Sequence, residues 1–334
     1  MAAFKQWDKE EIATQDGQRV EAIAPVILSA SRATDVPAFY ADWFFNRVRA
    51  GYFKWTNPFN AGQVQTISIS KARVIVFWSK NPAPLLNHLN ELDRRNIHSY
   101  VQFTLNDYDA EGYEPHVPRL AARIETFRRL ADCIGPERVI WRMDPLLRTD
   151  RVGIPELLGK ADALAAQLAG CTRKMVFSYA DVNAYATVRR NLAKAAREVR
   201  EFAAEEMNEL ARGMVAIQKA HGIEEIATCA EALDQEALGV RHNRCIDDEL
   251  MIRLWPDDRA LMDFLGYEGK SLFGEDKRPN LKDKGQRKEC GCIVSKDIGR
   301  YGTCPHLCAY CYANHAEGMV KRNFQAHRKE GEEL

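Results

Sequence analysis

What most restricts the fold of this chain is the repetition, six times over, of a strand-length apolar run that ends in a polar loop. The runs lie at 25–31, 73–78, 99–105, 138–143, 174–179 and 225–229. Between them, 37–49, 82–95, 117–130, 154–169 and 184–220 carry apolar side chains at helical spacing. Strands that alternate with helices return in the same direction and pair in parallel. Six such units fall short of the eight of a closed barrel. The pattern therefore predicts an α/β fold, with a partial (β/α)6 TIM-like barrel over 25–230.

Ahead of the barrel, 1–24 is expected to form a flap or hairpin turning at Asp16-Gly17, and 52–55 with 64–69 a short β excursion. Behind it, 231–334 forms a Cys-rich C-terminal extension. It is expected to be irregular after the last strand, helical over 247–265, rich in Gly, Lys and Asp over 266–285, and helical again after Tyr312. That last helix would present Lys321, Arg322, His327, Arg328 and Lys329; a solvated face is the default for such a run, and a phosphate-backbone contact is the alternative.

In barrels of this kind function sits at the carboxyl ends of the strands. The polar residues there are Arg32 and Asp35, Lys80 and Asn81, Asn106 and Asp107, Arg142 and Asp144, Tyr179 and Asp181, and Cys229. Asp and Asn after a strand also cap the next helix, a role of at least equal weight for Asp107 and Asp181. Strand alternation puts Trp141 and Met143 on one face and Arg142 with Asp144 on the other, toward a barrel lumen. A buried charged pair needs partners, and a ligand bearing a carboxylate and an amine supplies them. Arg142, Asp144 and Lys80 are accordingly candidate catalytic residues, with Arg32 and Asn81 as candidate cofactor contacts.

Lys+Arg and Asp+Glu both number 47, a balance that weakens the case for a polynucleotide partner. No stretch of about eighteen apolar residues and no signal-peptide core occurs, so a cytoplasmic protein without a membrane partner is expected. In that reducing setting, nine cysteines read as metal ligands or free thiols rather than disulfides. Five of them fall between residues 290 and 311.

The densest group is Cys304-Pro305-His306-Leu307-Cys308-Ala309-Tyr310-Cys311. Three thiols on one short loop leave one iron of a [4Fe–4S] cluster without a protein ligand, because such a cluster takes four thiolates when fully ligated. A closed zinc site of three cysteines and one histidine, either His306 or His315, is the competing reading. Four further thiols, Cys229, Cys245, Cys290 and Cys292, match the number a second, fully ligated [4Fe–4S] centre requires, with zinc held by four thiolates as its competitor. Cys133 and Cys171, beside Gly135 and Gly170, read as small apolar residues.

The cysteine loop resembles that of the radical S-adenosylmethionine superfamily, including Tyr310 as the aromatic before the third cysteine. The longer run from Cys290 through Cys304 resembles an uncharacterised bacterial family that carries this motif at the carboxyl end, and the likeness extends through Ser31-Arg32-Ala33-Thr34-Asp35 and Trp78-Ser79-Lys80-Asn81-Pro82. The loop alone is also similar to that of spore photoproduct lyase. The resemblance implies that Cys304, Cys308 and Cys311 ligate a cluster whose open iron binds S-adenosyl-L-methionine, with Tyr310 near the adenine. It further implies an oxygen-sensitive enzyme that cleaves this cofactor reductively to a 5′-deoxyadenosyl radical. An electron donor such as flavodoxin or ferredoxin and a small-molecule or unknown substrate go with that activity. Two other classes are kept: an iron–sulfur protein that transfers electrons or senses redox state, and a zinc-stabilised binding protein.

Overall fold

The computed structural model describes residues 4–58, 60–195, 198–269 and 278–334. Its strands are β1 (Asp8–Ala13), β2 (Arg19–Ala24), β3 (Ile27–Ala30), β4 (Tyr52–Asn57), β5 (Asn60–Ser68), β6 (Val74–Ser79), β7 (His98–Thr104), β8 (Val139–Leu146), β9 (Lys174–Tyr179), β10 (Glu225–Thr228), β11 (Arg241–His242) and β12 (Lys296–Asp297). The helices are α1 (Val36–Phe39), α2 (Ala41–Ala50), α3 (Leu89–Arg94), α4 (Leu120–Ile134), α5 (Ile154–Leu168), α6 (Ala186–Lys194), α7 (Ala204–Ala220), α8 (Asp248–Leu254), α9 (Arg259–Leu265) and α10 (Glu317–Ala326). All six expected apolar runs are strands.

These six strands, with β11 and β12 added at the two edges, build an eight-stranded parallel sheet in the order β11-β10-β9-β8-β7-β6-β3-β12. Such a sheet must be covered on both faces, which is why its strands are nearly all apolar. Alternation divides them. Phe77, Phe103, Trp141, Met143 and Phe177 face a core shared with Phe44, Phe127, Leu157 and Met214 of the helices. Val76, Tyr100, Ile140 and Val176 face the opposite way, against Ile246, Met251, Leu261 and Ile293 of the late chain. A smaller four-stranded sheet, β1-β2-β5-β4, contains the expected N-terminal hairpin, and Gly17 at its turn has φ +80°.

Several expected helices are broken, each for a local reason. The first divides at Tyr40, whose φ of −132° is not helical and whose hydroxyl donates to the carbonyl of Thr303. The segment after β6 begins as a 3-10 turn, Ala83–Asn87, and the α-helical part, α3, starts only at Leu89. Pro256 separates α8 from α9, and Asp258 starts the second by accepting from Leu261 N. The expected long helix over 184–220 is α6 and α7, of which 196–197 lie outside the described residues. Part of the Gly-, Lys- and Asp-rich stretch, 270–277, also lies outside them.

The join between the two ends of the chain fixes everything that follows. β12 pairs in parallel with β3, Lys296 opposite Leu28 and Asp297 opposite Ser29. The Asp297 carboxylate accepts from Ser29 Oγ (2.9 Å), Ser31 Oγ (2.7 Å), Arg32 N (2.9 Å) and Gly299 N (2.8 Å). A two-residue strand is too short to hold by ladder bonds alone, and these charge-assisted bonds supply the rest. Asp297→Ala leaves several buried donors without an acceptor, at about 1–3 kcal/mol each. We expect a clear fall in the urea midpoint for that variant, and an unchanged midpoint would contradict the clamp.

Candidate metal and cofactor site

The carboxyl ends of β3, β6, β7, β8 and β9 surround a cavity of about 280 Å³. The loop after β12 closes one side of it. Cys304, Cys308 and Cys311 all line this cavity, together with Arg32, Lys80, Asp144 and Tyr310. Residues from the two ends of the sequence thus meet on one wall. Two named candidates do not line it: Asn81 gives its backbone N–H to Ser79 Oγ at 2.9 Å, and Arg142 stands behind Asp144.

The cysteine loop is closed at its neck by Gly302 N donating to Ala313 O (3.0 Å) and Asn314 Nδ2 donating to Cys304 O (2.8 Å). Gly302, at φ +69°, takes a backbone conformation that a side chain disfavours. Three side chains of the loop then tie it to the strand ends. His306 Nε2 meets Asp35 Oδ2 at 2.9 Å, and Asp35 also accepts from Ser79 Oγ, Lys80 N and Ala38 N. Tyr310 Oη accepts from Lys80 Nζ at 2.9 Å, and the same ammonium donates to Glu114 at 2.8 Å. Tyr312 Oη donates to Arg32 O at 2.7 Å.

His306 is therefore committed. Its Nε2 faces Asp35 and its Nδ1 faces the His116 carbonyl at 3.2 Å, so neither nitrogen is left for a metal. His315 is exposed and does not line the cavity. Among the described residues, no group of three or more His, Cys, Asp or Glu is arranged to hold a single metal ion. A four-iron cluster is a larger body than an ion, and its donors are thiolates. Three thiols face one cavity, and burial pushes Cys304 up to about 12 and raises Cys308 and Cys311 as well. Neutral thiols of that kind become thiolates when a cationic centre coordinates them. A second feature fits a charged ligand: Arg32 Nη2 is buried with no hydrogen-bond partner among the described residues, while its guanidinium lies over Trp78 at 5.0 Å.

Glu114 was not singled out by sequence reasoning. It accepts from Lys80, from Asn106 Nδ2 (3.2 Å), from the Tyr310 hydroxyl and from Arg123 Nη1 (3.4 Å). Burial alone would raise its carboxyl, but Lys80 and Arg123 outweigh that and hold it below the usual carboxylate range. No local signal marks it, since its partners are scattered from position 80 to 310. Tyr310, expected to pack near an adenine, lines the cavity while its hydroxyl is anchored in this network.

The other four thiols gather behind the cavity wall. Cys229 Sγ and Cys245 Sγ are 3.5 Å apart, and Cys292 Sγ accepts from Cys245 N (3.1 Å) and Ile246 N (3.4 Å). Cys290 and Cys292 share a hydrogen bond that lowers the Cys290 thiol. Arg142 connects the two regions. Its Nε and Nη2 hold Asp144 on the cavity wall, and its Nη1 reaches Cys245 Sγ at 3.0 Å. Burial would lower this guanidinium's pKa, yet Asp144, Cys245 and Cys229 raise it well above the ordinary value.

The fold and site together define a parallel-sheet α/β protein with two cysteine groups near the carboxyl end of its sheet, one of them facing a cavity. The chain belongs to the family described as "Domain of unknown function (DUF1848)", whose profile matches residues 27–313. That span starts at the first residue of β3 and ends two residues beyond Cys311, so it contains the sheet and both cysteine groups. No curated protein and no solved structure matches the chain.

The Glu114 network has a measurable pH signature. Its carboxylate contributes stability above its unfolded value near 4.5, and that contribution is lost as pH falls through the lower folded value. Glu114→Gln leaves Lys80 and Arg123 buried with less compensation. Thermal unfolding should show the variant destabilised at neutral pH, with the difference from wild type shrinking below about pH 4. A difference independent of pH would contradict the assignment.

Proposed function

We propose that this protein is a radical S-adenosylmethionine enzyme acting on a small-molecule substrate, and that its parallel sheet is a partial (β/α)6 barrel over 25–230. On that reading 1–24 is an appended hairpin, and 231–334 is the cluster-binding extension. The observation that carries the proposal is that three thiols from one loop, and no available histidine nitrogen, face a cavity at the carboxyl ends of the strands. Three ligands of this kind fit a [4Fe–4S] cluster with one iron open. When bound, that cluster and S-adenosyl-L-methionine would supply a 5′-deoxyadenosyl radical, with one electron from a donor such as flavodoxin or ferredoxin.

The chain's own residues do the positioning. Cys304, Cys308 and Cys311 hold the cluster, and the His306–Asp35 contact fixes the loop's height above β3. The unpartnered Arg32 Nη2 is suited to a carboxylate, such as that at the methionine end of the cofactor. Lys80 and Asp144, held in charged pairs with Glu114 and Arg142, give the wall fixed polarity. Asn81, one residue off the wall, is a further candidate contact. Trp78, Tyr185 and Tyr312 give the cavity an aromatic lining.

Cys229, Cys245, Cys290 and Cys292 are read as ligands of an auxiliary [4Fe–4S] cluster. Their clustering behind the wall, with four N–H donors on two of the sulfurs, supports this. Anaerobically reconstituted protein should contain about eight irons per chain, whereas about four irons with one zinc would leave only the first centre. Reduction with dithionite in the presence of S-adenosyl-L-methionine should release 5′-deoxyadenosine. Cys304→Ala, Cys308→Ala and Cys311→Ala should each abolish that product, while Cys133→Ala and Cys171→Ala should retain it. Protein without iron, or product surviving loss of a loop cysteine, would overturn the proposal.

A further inference from the structure

The two cysteine groups differ in the donors that lie near their sulfurs. On the cavity side, burial raises Cys304 and Cys311, and against that stronger effect the backbone N–H groups of His306 and Asp35 pull Cys304 down and those of Ala313 and Asn314 pull Cys311 down. The charges nearest this group are of both signs: Asp35 acts on Cys304, and Lys80 with Glu114 on Cys308. Behind the wall, Cys292 also takes two backbone donors, but Cys245 takes Asn243 Nδ2 at 3.3 Å and Arg142 Nη1 at 3.0 Å. A guanidinium donor bonds roughly twice as strongly as a neutral one. Asp144 engages the far edge of the fork, which leaves Nη1 aimed at Cys245 and at Gln102 Oε1, 3.3 Å away. Arg32 adds a second buried cation on which Cys292 is the leading charged neighbour.

We infer that Arg142 sets the redox order of the two centres, its guanidinium holding the four-thiol group at a higher reduction potential than the three-thiol group. This rests on the proposed reading that both groups carry [4Fe–4S] clusters. Reduction adds negative charge to a cluster, and hydrogen bonds to the sulfurs and net charge are among the main determinants of its potential. A cation donating directly to a ligand sulfur therefore favours the reduced form. With this order, an electron passing from the reduced three-thiol centre to the oxidised four-thiol centre moves downhill. Arg142, which spans from the cavity wall to Cys245, is a tuning residue on this account and touches no reacting atom.

The test is an anaerobic redox titration followed by electron paramagnetic resonance. The wild-type protein should show two transitions, and the one that persists when Cys304, Cys308 and Cys311 are all replaced by Ala should lie at the higher potential. Arg142→Gln should move that transition to more negative potential and leave the other in place, with a smaller shift for Arg142→Lys. Should Arg142→Gln bind only about half the iron, Arg142→Lys decides: a shift to more negative potential supports the inference, and no shift overturns it. Eight irons with the reverse order of potentials, or with Arg142→Gln titrating as wild type, overturns the inference and leaves the proposed activity standing. Four irons and one zinc in the wild type overturns both the inference and the auxiliary cluster.

Discussion

The structure depends on how the late chain is fastened beside β3, the first strand of the large sheet in chain order. β12 contributes two residues of ladder, which is little, and Asp297 contributes one carboxylate that satisfies two hydroxyls and two backbone N–H groups of the join. Gly299 allows the close approach, since a Cβ there would collide with Ser31 Oγ. From this join the chain has only a few residues to travel before Cys304, so the position of the cysteine loop is set by β3. The Asp35–His306 contact then fixes the loop's orientation. Together they let a motif at the end of the sequence stand over the same strand ends as residues from its beginning.

A consequence is that charge is concentrated where the two parts of the chain meet. Lys80, Glu114, Arg123, Arg142, Asp144 and Arg32 are all held near or beneath the cavity, and most are paired. Burying charges is costly unless partners are well placed, and replacing one partner is more damaging than never having had the pair. A fold selected for stability alone would fill such positions with apolar side chains. This one keeps them paired and, among the described residues, leaves Arg32 Nη2 without a partner, an arrangement in keeping with the proposed cofactor.

Much of this was readable in the sequence, and the parts that were not have physical causes. The six strands were legible because parallel strands covered on both faces are continuous apolar runs. The polar residues after those runs, Arg32, Lys80 and Asp144, came to the cavity because strand ends converge there whatever the loops do. The helix breaks at Tyr40 and near Pro84 were missed because helical spacing persists across them. Glu114 and Asp297 were invisible for another reason: each acts through partners far away in sequence, and neither lies in a patterned segment. Sequence alone leaves His306 open as a metal ligand, and its tertiary partners, Asp35 and the His116 carbonyl, are what commit it to a structural role.

The central claim is that Cys304, Cys308 and Cys311 hold an iron–sulfur cluster with one iron open to a ligand. The most direct measurement is the electron paramagnetic resonance spectrum of the dithionite-reduced protein, with and without S-adenosyl-L-methionine, in a variant lacking the second thiol group. The account predicts a reduced-cluster signal whose g-values change on adding S-adenosyl-L-methionine. A signal that the compound leaves unchanged, or no signal at all, would contradict it.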